Sequence, residues 1–300
     1  MELVGLLMYL SLFVFRFFTK LIHPSAYEIF ALCCIVDVFT YVNSFLTTRI
    51  PLNAKKNWIF SKLMEFFPRY SNVLKERLLT TSHHFHFIFA HAQLLLNLTI
   101  MLIRFTLAFH RHFFRFWKKK TGWVVLGILI YSVLVTIPIS MNESYFEYRE
   151  DQDRYQLTTT TTRPFLYYPL GVTSLFVTIF NTILIIKTVR RIVLYRKETS
   201  SLPKYRLVMF GLISLIADYF LTTITVFNVW LTIFPTTSES DFLFQFSQNI
   251  PYIIPFASDS LTFTRPILFL LFNGNLRRME AKTPRMAQPV NQTSKVTTVC

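Results

Sequence analysis

"LNLTIMLIRFTLAFHRHFFRFWKKK", from Leu96 to Lys120, decides how the rest of the chain is read. It opens as one apolar run. Arg104 interrupts that run, which then continues for about five residues before two histidines, three more phenylalanines, Trp117 and three lysines. A helix needs roughly 20 apolar residues to cross the hydrocarbon core. Counted from His83, where the run begins, Arg104 falls about one crossing further on. Aromatic and basic residues collect where a membrane helix leaves the bilayer, and Lys and Arg favour the cytoplasmic side. The stretch therefore predicts a membrane helix that meets its inner interface near Arg104.

The composition supports a membrane protein. Of 300 residues, 52% are hydrophobic and only 16% are charged, against about 25% charged in soluble domains. The mean hydropathy is +0.41. Glycine is scarce, with 6 residues against 33 phenylalanines, which suits bulky lipid-facing helices. A net charge of +15 in a soluble protein would suggest nucleic acid. Here the bases cluster between apolar runs, so membrane topology explains them and no nucleic-acid partner is expected.

Seven apolar segments are expected as spans, at about 3–19, 27–48, 83–109, 122–141, 165–188, 207–231 and 250–272. The first is short and holds Arg16; it is read as a retained helix, with a cleaved signal peptide as the alternative. The predicted fold is an all-α seven-transmembrane helix bundle. With the N-terminus outside and the C-terminus cytoplasmic, the inner segments carry about twice the basic residues of the outer ones. The basic 49–82 loop is the awkward member. Residues 1–274 form one transmembrane domain, and the polar residues 275–300 read as a disordered cytoplasmic tail.

The outer loops fit this orientation. Residues 142–163 hold five acidic residues, a threonine run from Thr158 to Thr162, and the sequon Asn142-Glu143-Ser144, which makes Asn142 the glycosylation candidate. The sequons at Asn97 and Asn291 read as chance. Cys33, Cys34 and Cys300 cannot build an outer disulfide.

Ionisable groups inside a bilayer cost roughly 2.5–3.5 kcal/mol each at a helix centre and usually face the bundle interior. Asp37, Asp218 and Asp259 are the intramembrane polar candidates. They either bond neighbouring polar groups or surround an ion. Arg104 either snorkels to the headgroups or acts as a switch at the cytoplasmic mouth. Arg111, Arg115, Trp117, Lys187, Arg190 and Arg191 are expected to form a cytoplasmic face for anionic lipid or a protein partner. The run from Ser82 to His86, with His91, is read as a polar outer cap on the third span, and no metal site is expected of it. No G-x-S-x-G, H-E-x-x-H or phosphate-binding glycine loop is present, so neither an enzyme nor a cofactor is expected.

Taken in order, "HHFHFIFAHAQ" opening the third span, Arg104 at its inner end, Trp117-Lys118, "LFVTIFNTILI" in the fifth span and "PFASDSLTFTRPILFLLFNGNLRR" in the seventh resemble nematode serpentine receptors of class gamma. The resemblance covers nearly the whole chain. It implies a G-protein-coupled chemosensory receptor in the plasma membrane of sensory neurons, with a small-molecule ligand and a heterotrimeric G protein as partners. It also implies that Arg104 is the arginine at the inner end of the third helix, and that Pro266 kinks the seventh. The outer cysteine pair and the Asn-Pro-x-x-Tyr motif of many rhodopsin-like receptors are absent. Within this picture His86, Gln93 and Tyr168 are the candidates for the ligand mouth. A transporter or channel working through the intramembrane aspartates is the alternative, and a non-signalling accessory membrane protein is a further one.

Overall fold

One helix, α3 (Asn72–Phe109), runs through the middle of the protein and the others pack around it. The computed structural model describes residues 24–53, 72–109, 113–150, 153–159, 163–194 and 202–234, together with Ile250, Ile253, Ala257 and Asp259. The expected first span, most of the last span, Arg265, Pro266, Asn291, Cys300 and the 275–300 tail lie outside these residues. At 1.5 Å per residue, α3 is about 57 Å long, so it outreaches a hydrocarbon core of about 30 Å.

The remaining elements follow in chain order. Helix α1 (Pro24–Ser44) opens on a proline, where the missing N–H would have had no partner in any case. It runs into a π-helical turn (Phe45–Arg49) and a short α2 (Ile50–Asn53). Pro51 accounts for the turn: it donates no hydrogen bond, and its ring crowds the carbonyl four residues back. The backbone widens there, and the Ile50 N–H reaches the Phe45 carbonyl. Beyond α3 come α4 (Phe113–Ser140), strands β1 (Ser144–Arg149) and β2 (Arg154–Thr159), α5 (Arg163–Leu194) and α6 (Leu202–Ile233).

Four of these helices are long and apolar enough to cross a membrane: α3 over Arg77–Thr106, α4 over Lys119–Ser140, α5 over Tyr167–Arg191 and α6 over Gly211–Leu231. Within its most apolar stretch α3 is 61% buried and α4 only 17%. So α3 is the axis and α4 lies at the periphery. Large side chains such as Trp123, Leu134 and Ile216 are exposed on the outer faces, as lipid contact requires. Buried Ile29, Cys33, Leu96, Ile103 and Trp117 join α1, α3 and α4, while Leu94, Val177 and Ala217 join α3, α5 and α6.

Among the described residues, the structure departs from an all-α reading at β1 and β2. Strands β1 and β2 pair as an antiparallel hairpin in which Ser144 stands opposite Thr159 and Tyr148 opposite Tyr155. The turn places Asp153 at φ 44°, a left-handed position that aspartate tolerates better than most residues. The hairpin is fastened to α3: the Ser144 N–H donates to Thr80 Oγ1 at 3.0 Å, and His83 Nδ1 lies 3.2 Å from Ser144 Oγ. Strand β2 also packs against α2.

Candidate functional site

The bundle has two chemically different ends. At the hairpin end, Asn43 donates to the Ser82 carbonyl at 2.8 Å, and His84 Nε2 meets Thr136 Oγ1 at 3.0 Å. His83 is 8% exposed and His91 0%. The histidines, expected as a polar outer cap on the third span, form seams between α3 and its neighbours at the hairpin end. His91 Nδ1 lies 3.1 Å from Thr173 Oγ1, which also meets the Tyr131 hydroxyl. The π turn directs Arg49 inward, where it pairs with Asp259 at 2.5 Å, and its guanidinium lies over the Tyr41 ring. Arg49 was expected only as a base of the 49–82 loop; nothing local in sequence marks it as the partner of Asp259.

The opposite end carries the basic residues. Arg104 is partly buried on α3. Trp117 is only 5% exposed, and its indole N–H donates to Thr106 Oγ1 at 2.8 Å. It therefore braces α4 against α3 rather than facing outward. Lys187 and Arg190 are exposed on α5, and the Arg191 guanidinium lies 5.3 Å from the Phe109 ring centre. Arg115 lies in α4; Arg111 falls outside the described residues.

Between the two ends runs a column of buried polar side chains. Asp37 accepts from Gln93 Nε2 at 2.6 Å, linking α1 to α3. Asp218 accepts from Asn97 Nδ2 at 2.8 Å and from Asn181 Nδ2 at 2.5 Å, linking α6 to α3 and α5. Ser174 and Thr178 both meet Thr222 one turn further on, at 2.8 and 2.7 Å. Interhelical bonds of this kind contribute about 0.6 kcal/mol each, with a maximum near 1.7. Asn97, read from sequence as a chance sequon, is 2% exposed and belongs to this network. Its alternation with apolar residues on a helical face was the available signal. Among the described residues, no three His, Cys, Asp or Glu side chains come together as a metal-ligand set.

A cavity of about 40 Å³ lies beside this column, among α1, α3, α5 and α6. Thr40, His86, Gln93, Tyr167, Thr225 and Asn228 supply its polar lining. His86 and Gln93 are thus in the lining, whereas Tyr168 is 60% exposed and its neighbour Tyr167 takes the inner place. Asn142 closes α4: its Nδ2 donates to the Pro138 carbonyl at 2.8 Å, and Ser144 of the same sequon is 1% exposed.

Helices that are apolar outside, bonded through polar groups inside and hollow beside the central helix define a multi-pass membrane protein. Residues 3–279 match the family described as Srg family chemoreceptor. Serpentine receptor class gamma-31 of Caenorhabditis elegans is 24% identical over 245 residues, covering 81% of this chain and 76% of the relative. The chain belongs to the Srg family of chemoreceptors.

Proposed function

We propose that this protein is a G-protein-coupled chemosensory receptor of the plasma membrane, placed in sensory neurons. Its seven helices run with the N-terminus outside and the C-terminus in the cytoplasm. A small molecule reaches the cavity from the hairpin end, and binding favours a state whose basic end activates a heterotrimeric G protein. The observation that carries this reading is the cavity itself: its wall shares Gln93 with the polar column, so occupancy bears on the bonds that hold α3 to its neighbours. Arg104, Lys187, Arg190 and Arg191 lie at the far end of the same helices, where a cytoplasmic partner would dock.

The transporter alternative is less supported. Asp37, Asp218 and Asp259 are each hydrogen-bonded within the bundle, and the cavity between the helices is small. The test is Arg104→Ala. The variant keeps its surface expression and loses ligand-stimulated nucleotide exchange on the G protein; unchanged exchange would remove Arg104 from the signalling role.

A further inference from the structure

We infer that the cavity takes a small uncharged ligand carrying one hydroxyl group on a short hydrocarbon skeleton: a short-chain alcohol. This deepens the receptor reading and rests on it. The argument begins with charge. Among the described residues no Lys, Arg, Asp or Glu lines the cavity. Asp37 and Arg49 do not line it and are bonded to Gln93 and Asp259. An ammonium or carboxylate would enter without an opposite charge, and an uncompensated buried ion costs several kcal/mol.

The polar groups narrow the class further. Thr40 Oγ1 donates to the Val36 carbonyl at 2.7 Å, and Thr225 Oγ1 donates to the Leu221 carbonyl at 2.8 Å. Both hydroxyls have therefore spent their protons on their own helices and present only lone pairs. They can accept a bond and cannot give one. His86 Nδ1 is buried without a hydrogen-bond partner. An unmet buried polar atom costs about 1–3 kcal/mol, which a ligand bonding it would recover. A ligand hydroxyl can give its proton to a threonine oxygen or to the imidazole, and can accept from the imidazole in its other tautomer. A ketone cannot give a proton to the threonine oxygens, and a hydrocarbon answers neither group. Ala90, Leu94, Leu170 and Leu221 complete the wall with apolar surface. The volume of about 40 Å³ holds roughly three water-sized groups at about 10–15 Å³ each, so the skeleton is short.

The experiment uses the full chain purified in detergent, with ethanol, formate and ethylammonium, each of a size to match the cavity, as probes at matched concentrations. The thermal unfolding midpoint is read for the natural sequence, for Ala90→Phe, which fills the cavity, and for the nearly isosteric Thr225→Val, which removes an acceptor. The expected result is a saturable rise of about 2–4 °C with ethanol alone. That rise is abolished in Ala90→Phe and needs severalfold more alcohol in Thr225→Val. A saturable rise with either ion, lost in Ala90→Phe, overturns the ligand class while keeping the cavity as the binding site. No saturable rise with ethanol, or one that persists in both variants, overturns the inference. The underlying receptor reading fails differently: compounds that stimulate nucleotide exchange would do so equally in Ala90→Phe.

Discussion

Arg49 and Asp259 are 210 residues apart in sequence and 2.5 Å apart in the fold. Both side chains are largely buried, at 10% and 15% exposure. Removing one member of such a pair leaves the other charge uncompensated, at a cost of about 3–5 kcal/mol. Arg49→Gln and Asp259→Asn are therefore each expected to lower the unfolding midpoint sharply in detergent. The double variant should lose less than the sum of the two, and strict additivity in that cycle would deny the pairing. This pair also marks the limit of what single residues reveal in sequence. Asp37, Asp218 and Asp259 stand out because an acid in an apolar run demands a partner. Their partners Gln93, Asn97, Asn181 and Arg49 do not, because an amide among apolar residues has many permitted uses and only the packing selects one. The histidines were legible only as polar: His83 and His91 read as part of a polar outer cap, and packing alone supplies Ser144 and Thr173 as their partners.

Apolar run length made the helices legible. The expected spans at 83–109, 165–188 and 207–231 fall within α3, α5 and α6, and that at 122–141 lies in α4 but for its last residue. The helices continue past the apolar residues, as α3 does through 72–82, because backbone hydrogen bonding does not stop where hydrophobicity does. The hairpin was hidden by its charge. The acids of 142–163 suggested a loop, although Tyr148 and Tyr155 pair across the strands with ring centres 5.1 Å apart.

Two predictions belong to these elements. The Tyr148 hydroxyl donates to the Asp153 carboxylate, and that bond raises its pKa to about 12. A raised phenol favours the folded hairpin below the ordinary value near 10, and this contribution disappears as the pH climbs through about 12. In a phenolate absorbance titration, the step near 12 should be missing from Tyr148→Phe; an unchanged titration curve would contradict the bond. At Gly211 of α6, an added Cβ would lie 3.0 Å from Ile185 Cγ1 and 3.2 Å from Met101 Cε. Gly211→Ala asks those flexible chains to yield slightly. Gly211→Val is expected to separate α6 from α5 and α3 at about 1–3 kcal/mol, seen as a lower unfolding midpoint than either the natural sequence or the alanine variant.

For the whole molecule, the deciding quantity is how many times the chain crosses the bilayer. Four crossings are apolar and long enough among the described helices, and α1 packs against α3. The N-outside, C-inside arrangement predicts that an epitope on the N-terminus is reached in intact cells, while one on the C-terminus is reached only after permeabilisation. Both epitopes on one side would mean an even number of crossings and would remove the receptor topology. The hairpin end and the basic end remain chemically distinct whichever way the protein faces.

The great length of α3 has a mechanical consequence. Its bonds to Ser214 and Asp218 of α6 leave from Asn97, and its bond to Thr173 of α5 leaves from His91, so a tilt of α3 relative to α6 would turn about Asn97. At 1.5 Å per residue, the arm from Asn97 to Asn72 is about 37 Å and the arm to Phe109 about 18 Å. A tilt of about 5° swings the far tip of the long arm by about 3 Å and the other tip by about half that, in the opposite direction. A tilt imposed at the hairpin end would be geared down about twofold on its way to the end that holds Arg104.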